Sequence, residues 1–308
     1  MDKRAFVTWA ALVGNVVIMI SKIVVAIAGG SAALLAEALH SIADTGDSVF
    51  LLIGQRRMKK EADDQHPLGY GQELYFWTMI VSVSFFAIGG TGSIFEGIAR
   101  LVKPEPVGNP TPTYIVLAIS FVFSAITAVI ALREFRAAMK PGESYWQSFK
   151  SQKDPTVFMV LFEDGASLLG VLIAFLGTWL GHKLHNLYLD GTASIAIGVL
   201  LAVVALCLIN ETRKLLIGER TDQELQDSVR QLVETDDSVS QVGKIWSSHL
   251  GPEDVILIID TIFRPELRVA EASDACQHIK ERIREKHEEA KHIYIDPQPS
   301  GDNVGGED

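Results

Sequence analysis

The chain has 308 residues, is 48% hydrophobic with a mean hydropathy of +0.23, and carries a formal charge of −11. It is too apolar for a disordered chain and too acidic for a nucleic-acid binder. Residues 1–211 hold 15 Lys and Arg against 17 Asp and Glu, and residues 212–308 hold 12 against 21. That is the outline of a near-neutral membrane domain followed by an acidic soluble one. Cys207 and Cys276 fall in different halves and offer neither a disulfide framework nor a CxxC metal site.

A helix of roughly 20 apolar residues crosses a bilayer. Six such stretches follow in order: 6–28, 32–54, 74–101, 112–132, 155–181 and 187–210. The first has no small-residue cleavage site and reads as a retained helix, not a signal peptide. It contains Asn15, whose amide is either packing glue or a path oxygen. Its Lys22 either snorkels or pairs with a carboxylate. Gly29-Gly30-Ser31 then breaks the helix with turn chemistry.

The second span, LLAEALHSIADTGDSVFLLIG, carries Glu37, His40, Asp44 and Asp47 at 3-4-3 spacing. At about 100° per residue these four fall within roughly 80° of one another. Charge inside a membrane helix is expensive, so such a stripe needs a reason. His40 and Asp44, at i and i+4, are placed to aim at one ion. Helix–helix hydrogen bonding competes most strongly for Glu37 and Asp47, nearer the stripe's ends. The fifth span contains VLFEDGASLLG, with Glu163 beside Asp164. Adjacent helical residues diverge by about 100°, so one carboxylate binds directly while the other approaches from the side or pairs elsewhere. One imidazole with two or three carboxylates in a low-dielectric setting is a divalent-cation site, and the imidazole favours zinc or a neighbouring transition metal. Its ligands bind only when deprotonated, so arriving metal expels protons.

Both ends of a six-span chain lie on one side of the membrane. Thirteen Lys and Arg, from Lys3 and Arg4 through Arg56, Arg57 and Lys140 to Lys214, stand on that side against Arg100, Lys103 and Lys183 opposite. The excess predicts both termini in the cytoplasm. The rest of the chain alternates by period: a helix over 222–234, strands over 239–248 and 254–263, a helix over 270–289 and a strand over 292–296. The expected fold is therefore an α-helical membrane protein with six transmembrane helices in residues 1–212, followed by a small cytoplasmic α+β (α-β-β-α-β) domain in residues 213–297. A Gly-rich tail over 298–308 is expected to be disordered.

These residues resemble the cation diffusion facilitator family of divalent-metal/proton antiporters. The resemblance runs from about Asn15 to Pro297 and rests on SAALLAEALHSIADTGDS, with its His-x-x-x-Asp as His40 and Asp44. It rests also on Asp63-Asp64-Gln65-His66-Pro67-Leu68-Gly69-Tyr70-Gly71-Gln72-Glu73 and on the fifth-helix segment ending in Asp164. Zinc members carry a second His-x-x-x-Asp on the fifth helix, whereas Val160 stands four before Asp164 here. The Leu-Phe-Glu-Asp-Gly-Ala form is similar to the branch containing the animal mitochondrial zinc exporter. The carboxylate signature of manganese members is absent, because His40 stands in its place.

The resemblance implies a metal site of His40, Asp44 and Asp164 with Glu163 as fourth ligand, and export of metal in exchange for protons by alternating access. Zn²⁺ is the expected substrate and H⁺ the counter-ion, with iron, cobalt and manganese as alternatives and no resident cofactor. It also implies a homodimer within the lipid bilayer. Asp63 and His66 match a secondary metal site of some members, though Tyr70 replaces one of its histidines. Asp296 matches a ligand position in the cytoplasmic domain, but Gly243, Ile259 and Tyr294 stand where histidines would be, so no metal cluster is expected there. The rival classes are a non-transporting membrane metal sensor, a membrane hydrolase and an organic-cation exporter. Against the hydrolase, there is no His-Glu-x-x-His helix and no Ser/Lys or Gly-Asp pair at suitable spacing. Against the exporter, the imidazole has no purpose there.

Overall fold

The computed structural model describes residues 3–104, 108–139 and 155–299. Lys140, Lys150 and Lys153, part of the charge asymmetry, and the tail over 300–308 lie outside them. The chain divides into two compact units, Met1–Gln55 with Phe76–Arg213 and Arg56–Tyr75 with Lys214–Asp308.

The first unit is helical: α1 (Lys3–Gly29), α2 (Ala32–Arg57), α3 (Glu73–Ser84), α4 (Gly92–Val102), α5 (Thr111–Ala138), α6 (Pro155–Leu184) and α7 (Tyr188–Leu216). The third expected span is thus two α-helices, joined by a π-helical stretch over Phe85–Thr91. Among the described residues four helical stretches are long and apolar enough to cross a membrane, namely Glu73–Val102, Thr111–Ala137, Met159–Leu184 and Tyr188–Leu216, and α1 adds the shorter Val13–Gly29. The second helix is not among them; along its length it carries Glu37, Asp44, Asp47, Arg56 and Arg57. On α5 the exposed residues Ile115, Ile119, Val122, Ile126 and Val129 recur at 4-3-4-3 spacing, and Val13, Val17, Ile20, Val24 and Ile27 do so on α1. Such bare apolar stripes are what helices offer to hydrocarbon. Helix α5 packs on both α1 and α6.

The N-terminus of α2 is fixed from α7. Ser31 Oγ donates to Asp190 Oδ1 at 2.7 Å, the Ala32 amide donates to the same carboxylate, and the Leu34 amide donates to Ser31 Oγ. A carboxylate at the positive end of a helix satisfies orphan amides and the macrodipole together. This anchor helps set the direction in which the polar stripe of α2 points.

The second unit contains α8 (Gln223–Glu234), β1 (Val239–Gly251), β2 (Asp254–Phe263), α9 (Val269–Lys286) and β3 (His292–Pro297). The α-β-β-α-β order matches the sequence expectation, with β1 antiparallel and β3 parallel to β2. Val255, Leu257 and Ile259 alternate along β2 and are fully buried against Val229, Val233, Ile279 and Ile283 of the two helices. On the other face Trp246, Ile258 and Tyr294 are exposed, and the register aligns them across the three strands. Gln298, where the tail was expected to begin, still donates its amide to Thr261 O at 2.9 Å. The segment Arg56–Tyr75 belongs to this unit. Its Gly71 has no room for a side chain, because a Cβ would fall on the Leu250 carbonyl.

Candidate metal centre

Helix α2 presents its stripe from an alanine-rich body: Ala32, Ala33, Ala36, Ala38 and Ala43 are buried and let neighbouring helices approach. His40 is fully buried, and its ring meets Phe85 edge-on at 5.3 Å. Phe85 opens the π-helical stretch, a local widening that often marks functional sites. His40 Nδ1 stands 3.3 Å from Asp44 Oδ1, yet among the described residues neither atom has a hydrogen-bond partner. Two ligands bound at about 2.0–2.1 Å to one tetrahedral ion stand about 3.3 Å apart. The pair is therefore spaced as one edge of such a coordination shell.

The fifth-span carboxylates diverge, as adjacent helical residues must. Asp164 Oδ1 accepts a hydrogen bond from Thr127 Oγ1 of α5 at 2.9 Å and lies within electrostatic reach of Asp44. Glu163 faces the buried Asp47 instead. Among the described residues, neither Asp47 oxygen, nor Glu163 Oε1, has a hydrogen-bond partner within usual geometry. Glu37 turns away to Lys22 Nζ at 3.0 Å. Among the described residues no three His, Cys, Asp or Glu side chains converge tightly enough to hold a metal ion. What the fold assembles is a close pair, His40 with Asp44, flanked by carboxylates on α2 and α6.

A cavity of about 30 Å³ opens beside Asp44, lined also by Asn15, Lys22 and Ser41 with Ser120, Ser124 and Ser167. Polar and roomy enough for one water, it places Asn15 beside Asp44. The serines and Thr127 escaped the sequence reading. Their signal was present, since Ser120, Ser124 and Thr127 recur at 4-3 spacing through an otherwise apolar helix.

The loop after α2 is arranged differently. Asp63 accepts from Lys60 Nζ at 2.7 Å, from Tyr70 Oη at 2.7 Å, and from the amides of Gln65 and His66 at 3.1 and 2.9 Å. Lys60 Nζ also donates to Tyr70 Oη at 2.6 Å and lies 4.2 Å from the centre of its ring. Lys60, then Tyr70 and the His66 amide, hold the Asp63 carboxyl well below the usual carboxylate range. His66 Nδ1 stays 3.6 Å from Asp63 Oδ1. An ammonium group thus occupies the position in which Asp63 would offer its charge to a metal. In the second unit, Asp296 Oδ2 accepts from Gln298 Nε2 at 2.8 Å.

The profile of the cation efflux transmembrane domain matches residues 8–217. This chain belongs to the cation efflux family. The family is one of membrane transporters, not enzymes, and the protein is a multi-pass integral membrane protein. The proton-coupled zinc antiporter SLC30A9, mitochondrial, of Mus musculus is 31% identical over 223 residues, which are 72% of this chain and 39% of that protein. The chain thus spans about two fifths of that relative's length. The manganese efflux system protein MneP of Bacillus subtilis is 24% identical over 300 residues, 94% of each protein. The magnetosome protein MamM of Paramagnetospirillum magneticum is 24% identical over 301 residues, 96% of this chain and 88% of that one.

Proposed function

We propose that this protein is a secondary active transporter that exports a divalent metal ion, zinc foremost, in exchange for protons. The observation that carries this reading is the 3.3 Å spacing of His40 Nδ1 and Asp44 Oδ1, two buried atoms without hydrogen-bond partners among the described residues. Buried polar atoms are costly unless something satisfies them. A dication does so, and Asp164 and Glu163 of α6 complete its ligand set once they leave Thr127 and Asp47. Deprotonated ligands bind metal and protonated ligands release it, so exchange for H⁺ follows from the donor chemistry. The bundle opens alternately to the two faces around this site.

Zinc leads because an imidazole anchors the site and because the mitochondrial relative is a zinc antiporter by name. Manganese is the second choice, supported by the near full-length match to the manganese efflux protein. Six spans complete the bundle, with α1 and the charged α2 crossing as helices whose polar stripe faces inward. The Lys and Arg distribution supports a cytoplasmic position for both termini. A homodimer is part of the proposal, and the aligned Trp246, Ile258 and Tyr294 give it an apolar stripe to bury.

Purified protein in liposomes, with an imposed pH gradient and an internal metal-sensitive dye, is expected to move Zn²⁺. Asp44→Ala and Asp164→Ala should each stop the movement while leaving a folded protein. Flux that survives either change rejects the site. No flux for any divalent metal in the unaltered protein would favour a membrane metal sensor.

A further inference from the structure

Transport chemistry uses His40, Asp44 and the α6 carboxylates, but not the buried ion pair next to them. Lys22 of α1 is 2% exposed and Glu37 of α2 is 0% exposed. Lys22 Nζ donates to Glu37 Oε2 at 3.0 Å and to Ser41 Oγ at 2.9 Å. Glu37 Oε1 is pressed against the backbone of α6 at Gly170, where any Cβ would fall on that oxygen. Ile197 of α7 lies 3.9 Å from the same point. Four helices therefore meet at one ion pair.

Its position along the bundle is specific. Glu37 precedes Asp44 by seven residues, about 10 Å along α2 towards the end that Ser31 begins. Lys22 and Ser41 line the same small cavity as Asp44, so the pair forms the cavity's wall on that side. Beyond it, Ala36, Leu34, Ala33 and Ala32 of α2 have no exposure at all. Asp44, by contrast, retains 28% side-chain exposure.

A buried ion pair contributes little net stability, because desolvation offsets the attraction. An apolar junction would close the helices as well. What the pair adds is charge: the ammonium neutralises Glu37 and repels a divalent ion in the cavity, so the ion cannot advance along the stripe. We propose that Lys22 and Glu37 are the gate that closes the metal site from the face at which α2 begins, with Ser41 and Gly170 positioning the two charges. Opening to that face requires α6 to withdraw Gly170 from Glu37 and the pair to part. This inference rests on the transporter reading.

The test reads access and not flux, so the two failures are separable. Ser120 lines the cavity, has 1% exposure and makes no hydrogen bond through Oγ among the described residues, so Ser120→Cys is a near-isosteric reporter. Cys207→Ser and Cys276→Ser leave it as the sole thiol. The protein is reconstituted in liposomes, and a membrane-impermeant methanethiosulfonate is applied to each face in turn. With the pair intact, labelling from the face at which α2 begins is slow. The charge-free double variant Lys22→Gln/Glu37→Gln, which leaves no unpaired buried charge, should raise that rate about tenfold without changing the rate from the other face. The charge swap Lys22→Glu/Glu37→Lys should restore the slow rate. An unchanged rate in the double variant overturns the gate. So does an equal rise from both faces, which marks a generally loosened bundle, or a swap that restores nothing. Absence of metal flux in the unaltered protein would instead reject the transporter reading, whatever the labelling shows.

Discussion

His40 with Asp44 and His66 with Asp63 are the same pair of residue types at short spacing, in neighbouring parts of one chain, and the fold treats them oppositely. In α2 the backbone amides are spent on the helix's own hydrogen bonds, and the nearby ring is Phe85. The His40 ring and Asp44 Oδ1 consequently have no hydrogen-bond partner among the described residues. In the loop, free backbone amides turn inward, and the amides of Gln65 and His66, with Lys60 and Tyr70, saturate Asp63. Resemblance in residue type says where a metal site is conceivable. Saturation says which of the two has capacity left for a cation.

The sharpest way to break this contrast is to remove each carboxylate. Losing an outer partner of a metal ligand already costs about 10–100-fold in affinity or activity, so Asp44→Ala should lower proton-driven Zn²⁺ flux by at least about 100-fold. Asp63→Ala, measured in the same liposomes, should leave flux within about twofold, as expected for a charge already satisfied by its loop. Equal losses in the two variants would end the distinction.

A smaller effect concerns selectivity. His40→Asp replaces the softer nitrogen by a hard oxygen, which should shift the Zn²⁺/Mn²⁺ flux ratio towards manganese by on the order of tenfold. An unchanged ratio would show that His40 is not a ligand.

Stability separates the two units. Leu257→Ala removes a fully buried side chain of β2, and should destabilise the second unit by about 2–5 kcal/mol. Calorimetry of the full chain should show this while the Zn²⁺ affinity of the first unit stays put.

The smallest effect is one of pH. The Asp63 carboxyl is held below its ordinary value by Lys60 and Tyr70. A depressed folded pKa contributes stability above the unfolded value near pH 4, and that stability is lost as pH falls through the folded value. Carbon-13 NMR of the side-chain carboxyl should therefore show Asp63 still ionised at pH 3, and Lys60→Met should move its titration up towards the ordinary range.

Much of this architecture was legible residue by residue. Apolar length marked the helices, period-two alternation marked β2, and 3-4-3 spacing put four ionisable groups on one side of α2. The divergence of Glu163 and Asp164 followed from helical geometry alone. The spacing could not tell that Glu37 is taken by Lys22, that Glu163 meets Asp47, or that Thr127 holds Asp164. The third span likewise read as one continuous helix, because its π-helical stretch changes the hydrogen bonding and not the apolar pattern.

By itself, the sequence determined which elements form and which face of each is polar, since periodicity is a property of one segment and its own backbone. Only the tertiary structure decided which polar groups meet. That choice depends on the rotation and depth of each helix against its neighbours, set by small residues such as Gly170 and by anchors such as Asp190 on Ser31. The result is a polar stripe whose upper carboxylate is paired and whose middle is left open.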